Sequence, residues 1–193
     1  MTQIIALAAT ARDRAGKGTA RATRRAGSIP AVIYGNKEKP VMIALDTTKF
    51  TREIHRPGFF THLFDITVDG VTHRVLPRDV QLDPVYDRPL HADFLRVSDT
   101  TEITLKVPVE FVNVETCPGI KKGGVLNVVR HDIEVFAKAG DLPEKIVVDL
   151  AGFEVGASVH ISSVKLPEGV RPTITDRDFT VATIAAPTVK ADA

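Results

Sequence analysis

Cysteine is almost missing from this sequence and tryptophan is wholly missing: 193 residues hold one Cys, no Trp and two Tyr. A single thiol, Cys117, excludes an internal disulfide and suits a reducing compartment. It also excludes paired-cysteine metal sites, and the six histidines (55, 62, 73, 91, 131, 160) show no metal-ligand spacing with it. Long apolar runs are missing as well. None approaches the roughly 18 residues that span a bilayer, and the apolar start MTQIIALAATARD lacks the basic opening of a secretory leader. The expected setting is therefore the cytoplasm, with no membrane partner.

Catalytic patterns are equally scarce. Gly16-Lys17-Gly18 suggests a phosphate loop, but Ala11 stands where its first glycine belongs and Gly18 where its hydroxyl residue belongs. The dinucleotide fingerprint fails at Arg21, which occupies the position of the third glycine. Ser162 and Ser163 have no nucleophile context, and the carboxylates form no acid/base couple. No catalytic residue, metal, cofactor or small-molecule substrate is expected.

A net excess of either charge is lacking too, because the formal charge is only +1. The even balance hides an asymmetry. Residues 1–40 carry eight Lys/Arg against Asp13 and Glu38, a net +6, whereas residues 98–193 carry ten basic and fourteen acidic side chains, a net −4. Such a split suits a chain whose first half meets a polyanion, although a solvated basic face has the same composition. Six of the cations crowd into residues 12–25.

Most of what remains reads as β. IPAVIYG (29–35) and PVMIALD (40–46) are short apolar runs, and residues 63–69 and 71–76 flank Asp69-Gly70, a strong hairpin signal. TKFTREIHR (48–56) spaces Phe50 and Ile54 as a short helix that stops at Pro57, and 91–97 reads as a further strand. From residue 103, ITLKVPVEF alternates strictly, a half-buried strand that Pro108 marks as an edge. Strands are also expected over 125–137, 145–150 and 179–185. The polar VSDTTE (97–102) divides the chain into two β-rich domains, 1–97 and 98–187, with 188–193 as a flexible tail.

The basic stretch has its own local logic. Thr19 can N-cap a helix with Ala20–Ala26 as its body and Gly27 as its stop. Arg21, Arg24 and Arg25 then share one face. Gly16 and Gly18 let the backbone approach a ligand, the helix start offers unpaired N–H groups to phosphate, and Lys17 adds a charge beside them.

These residues also resemble a known family. GKGTARATRRAGSIPAVIYG is similar to the signature of the bacterial large-subunit ribosomal protein twenty-five family, which binds 5S ribosomal RNA. DVQLDPVYDRPLHADFLRV (79–97) resembles a second signature of the same domain. VPVEFVNVETCPGIKKGGVLNVV and DLPEKIVVDLAGFEVGASVHISSVKLPEGV resemble the C-terminal domain of its long form, the Ctc or general stress protein type. The resemblance implies a mainly β fold: a six-stranded antiparallel barrel with short helices, followed by an all-β domain. It implies a non-catalytic constituent of the large subunit, seated in the central protuberance. Its partners there are the loop E region of 5S rRNA and neighbouring rRNA and ribosomal proteins.

Carried over position by position, the resemblance assigns RNA contact to Arg12, Lys17, Gly18, Arg21, Arg24, Tyr34, Arg78, His91 and Asp93. Arg78 departs from the Gln of the family, and Thr23 from its usual Leu. From the residues alone, Tyr34 could equally be a buried ring, and His91 with Asp93 a surface hydrogen-bonded pair. Gly119–Gly124, a second glycine and lysine cluster, reads as an exposed loop or a secondary RNA contact. A stress-related factor that visits ribosomes transiently and an RNA-acting enzyme are the competing functions.

Overall fold

The structure is a computed structural model that describes residues 4–98 and 101–186. The expected tail, and Asp99 and Thr100 of the expected boundary, lie outside the described residues. Two compact units emerge: the residues up to Ile103 together with Ala137–Glu144, and Thr104–Phe136 together with the residues from Lys145 onward.

In the first unit the order is β1 (Ile4–Ala11), α1 (Lys17–Arg25), β2 (Ser28–Tyr34), β3 (Val41–Asp46) and α2 (Thr47–Ile54), then β4 (Leu63–Val68), β5 (Val71–Leu82) and β6 (Pro89–Arg96). Asp69 and Gly70 both take positive φ, 48° and 85°, the geometry that a two-residue hairpin turn demands. Asp46 caps α2 by accepting from the Lys49 N–H at 2.8 Å.

The strands close into a barrel in the order β1-β3-β2-β6-β5-β4. Six strands and closure agree with expectation, but two of the six pairings, β1–β4 and β2–β6, are parallel. The chain reaches these partners by long crossovers, both of which include α2, and a crossover sets strands parallel where a tight hairpin cannot. Alternation sends Ile29, Ala31, Ile33, Ile43, Leu45, Ile66 and Phe94 inward. Phe50 from α2 sits edge-on to Phe59 at 5.8 Å and to Phe94 at 5.9 Å between ring centroids. Each such ring is worth roughly 1.5–3 kcal/mol when fully buried.

β5 runs to Leu82, beyond the expected 76, because a bulge interrupts its pattern. Pro77 pairs with Phe94 and Asp79 with Asp93, so Arg78 is an extra residue. The bulge keeps Val80 opposite inward Ala92 and leaves Gln81 opposite outward His91. It also accommodates Pro77, which has no N–H to give to a ladder.

The second unit holds β7 (Glu102–Val112) for most of its length, α3 (Pro118–Lys121), β8 (Val125–Val128) and most of β9 (Asp132–Lys138). They are followed by β10 (Ile146–Asp149), β11 (Ser158–His160), β12 (Arg171–Pro172) and β13 (Thr180–Ala185). Two sheets form, β10-β7-β9-β12 and β11-β13-β8. Two expectations are corrected. β7 is an interior strand, not an edge; its register with β10 begins at Val109, one residue past Pro108, so the missing N–H precedes that pairing. The single strand expected over 125–137 is two strands in different sheets, parted at 129–131.

Candidate nucleic-acid interface

α1 begins at Lys17, two residues before the expected cap. Gly16 is the N-cap, with φ 132° and ψ 161°, a conformation open essentially to glycine. Thr19 lies inside the first turn, and its hydroxyl donates to the Gly16 carbonyl at 2.9 Å. The first helical bond runs from the Ala20 N–H to the Gly16 carbonyl at 3.0 Å, so the N–H groups of Lys17, Gly18 and Thr19 precede the ladder. A Cβ at Gly18 would meet nothing within 4 Å, which leaves that backbone open to an approaching ligand. Gly27, at φ 79°, ends the helix as expected.

The cations of this segment have distinct settings. Lys17 and Arg21 are exposed, with no acidic side chain in the first turn of α1 to neutralise them. Arg12 extends the β1–β3 ladder through its N–H to the Met42 carbonyl, and its guanidinium reaches the Thr19 hydroxyl at 3.5 Å. Arg25 turns back toward the Arg21 carbonyl. Arg24 donates to the Leu90 carbonyl at 3.1 Å. That bond fastens α1 beside the start of β6, one residue from His91.

β6 supplies the second half of the site. With Ala92 and Phe94 in the core, alternation turns His91, Asp93 and Leu95 outward. Across the parallel pairing Leu95 meets Tyr34, and across the antiparallel pairing Asp93 meets Asp79 and His91 meets Gln81. His91 Nδ1 lies 3.4 Å from Asp93 Oδ1, both side chains about one-third exposed. Tyr34 is half-buried; burial first, then the Asp93 carboxylate, raises its hydroxyl above the ordinary phenol range, while Arg78 opposes. Tyr34 is thus a neutral hydroxyl that can donate to an acceptor, and Arg78, Asp79 and Asp93 share its field.

All nine expected residues therefore fall on two adjoining surfaces: Arg12, Lys17, Gly18, Arg21 and Arg24 on or beside α1, and Tyr34, Arg78, His91 and Asp93 on the β2–β6–β5 face. Sequence reasoning missed Gln81 and Asp79, which join the second surface because the bulge sets their register. It also missed Arg96, a nearly buried guanidinium that donates to the Gly35 and Lys39 carbonyls at 3.3 and 3.2 Å and pairs with Glu38 at 3.4 Å. Arg96 fixes the turn that follows Tyr34.

Two other groups resolve into scaffolding. The 119–124 cluster is not the exposed loop expected: α3 takes in its first three residues, Gly119 is buried with a Cβ there coming within 2.8 Å of the Glu154 backbone, and Lys122 pairs with Glu154 at 3.0 Å. Ser162, His160 and Asp178 converge, yet the Ser162 hydroxyl donates to the Asp178 carboxylate at 2.7 Å, and His160 Nδ1 lies 3.3 Å from the Asp178 carbonyl. In a hydrolase the hydroxyl would face the imidazole; here it staples a turn.

Comparison with known proteins decides the family. Residues 7–94 match the Ribosomal L25p family, and residues 102–188 match the C-terminal domain of ribosomal protein TL5. The chain belongs to the L25p family. It is 55% identical over 188 residues to the large ribosomal subunit protein bL25 of Rhodospirillum rubrum, covering 97% of this chain and 90% of that one. The bL25 protein of Chelativorans is 55% identical, with 97% and 89% covered, and that of Novosphingobium aromaticivorans 54%, with 97% and 92% covered. Both L25p and TL5-type regions are present, so this is a long-form member. A bL25 protein is a structural constituent of the large ribosomal subunit and not an enzyme.

Proposed function

We propose that the protein binds 5S rRNA at the loop E helix, in the central protuberance of the large subunit, as a cytoplasmic ribosomal component. The observation that carries the reading is the Arg24–Leu90 bond, which seats the basic helix against the outward row of β6. Phosphates fit the start of α1, where unpaired N–H groups, Lys17 and Arg21 converge. The row of Tyr34, Arg78, His91 and Asp93 offers donors and acceptors for base edges and 2′-hydroxyls. A helix of non-Watson–Crick pairs has altered grooves that can expose such edges, unlike regular A-form RNA.

Titration of the full chain against 5S rRNA at several salt concentrations tests this. Lys17→Ala and Arg21→Ala should each flatten the dependence of log affinity on log salt by roughly 0.7–0.9. Equal affinity for 5S rRNA and for an unrelated duplex would overturn the reading.

A further inference from the structure

We propose that the β5–β6 turn, residues 82–88, is a docking knob for a neighbouring protein of the large subunit, one offering an apolar notch with a basic rim. The proposal rests on family membership rather than on the 5S rRNA reading. Val85 is 76% and Tyr86 70% exposed, more than any other large apolar side chain among those described, and Leu82 beside them is 43% exposed. Three such side chains in five positions form an apolar patch that is costly to leave in water, and Tyr86 within it is of the type that anchors protein interfaces.

The turn is held in shape. The Asp83 carboxylate accepts from the Val85 and Tyr86 N–H groups, both at 3.0 Å. Its own N–H donates to the Arg88 carbonyl at 2.8 Å, and the Asp87 N–H donates to the Asp83 carbonyl at 2.9 Å. Asp87 takes φ 51°, and the Arg88 guanidinium lies 5.3 Å from the Tyr86 ring centroid. A knob organised in advance loses little conformational entropy on docking.

Charge selects the class of partner. Within the turn itself, residues 82–88, the carboxylates of Asp83 and Asp87 stand against one guanidinium, Arg88, already laid against Tyr86. That balance repels phosphates and favours a basic protein surface. β5 and β6 run from the Arg78/His91/Asp93 row directly into the turn, so a protein flanking whatever occupies that row meets the knob.

The test uses the full chain carrying Val85→Ser with Tyr86→Ser, and separately Asp87→Asn, which tolerates the left-handed backbone. Circular dichroism first establishes that each folds. Each then competes with the wild-type chain for large subunits depleted of this protein, and is titrated against isolated 5S rRNA. A photo-crosslinking residue at position 86 reports its neighbour in assembled subunits. The double variant should lose tenfold or more in competition and Asp87→Asn severalfold, with RNA titrations within twofold of wild type and the adduct on protein. Undiminished competition, or an adduct on RNA with a matching loss in the RNA titration, would overturn the proposal. If isolated 5S rRNA is not bound even by the wild-type chain, the reading of the preceding section fails, while the competition and adduct still decide this one.

Discussion

Tyr34 shows how one residue acquires a defined chemical role from its surroundings. Burial and the Asp93 carboxylate both disfavour the phenolate, so the hydroxyl stays a donor throughout the neutral range. His91 and Asp93 stand beside it on the outward side of β6, 3.4 Å apart. Such a pair has too little positive charge to add bulk attraction, and its value lies in which groups it can match. His91→Ala or Asp93→Ala should therefore cost on the order of 1–3 kcal/mol against loop E RNA, with little change against a regular duplex. Parallel titrations of the two RNAs measure this, and equal losses on both would remove the pair from selective contact.

At the scale of elements, two glycines with similar backbone demands separate strain from close approach. Gly35 has φ 108°, and a Cβ there would lie 2.8 Å from Leu95 Cδ1 and 3.3 Å from the Arg96 nitrogen. Gly70 has φ 85° with nothing within 4 Å. Gly70→Ala should cost about 1 kcal/mol, the left-handed penalty alone. Gly35→Ala should cost about 1–3 kcal/mol more, because Leu95 must move and the turn held by Arg96 is displaced. Urea unfolding of both variants checks the difference, and equal midpoints would show the contact to be irrelevant. These elements also show what a sequence displays. Asp69-Gly70 announces its hairpin because no other dihedral solution is as cheap, and the apolar alternation of β2, β3 and β6 announces the barrel wall. The Arg78 bulge is silent, since VLPRDVQL reads smoothly in either phase and only β6 decides which residues face out. Thr19 has the look of a cap in the sequence, yet Gly16 caps α1 by conformation alone, without a side-chain bond.

For the whole molecule, the legible and illegible parts divide by range. Charge asymmetry and the two family-like regions are local properties, whereas the joining of α1 to β6 depends on a bond spanning Arg24 to Leu90, which no periodicity signals. Acid sensitivity also belongs at this scale. Asp149 is held below the usual carboxylate range by the Asn113 amide and the Ala151 N–H, and Asp178 by the Ser162 hydroxyl and N–H. Asp83 is lowered by the Val85 and Tyr86 N–H groups. A folded pKa below the unfolded value of about 3.9 adds stability above that pH, which is lost as pH falls through the folded value. Two of the three groups, Asp149 and Asp178, lie in the second unit, so that unit should weaken first. Thermal unfolding at pH 5, 4 and 3 should show a falling Tm, with a shallower fall in Asp149→Asn and Asp178→Asn. An unchanged slope in both variants would discount these turns.

The ring order gives β6 a temporal significance. It sits between β2 and β5, so the barrel cannot shut until residue 96 has been made. The cations of residues 12–25 are synthesised first. At bacterial elongation rates of about 5–20 residues per second, the interval is on the order of 4–14 s. During that time the nascent chain holds its positive charge but not the surface proposed to discriminate among RNAs. Stickiness precedes selectivity, and the last strand of the ring converts one into the other.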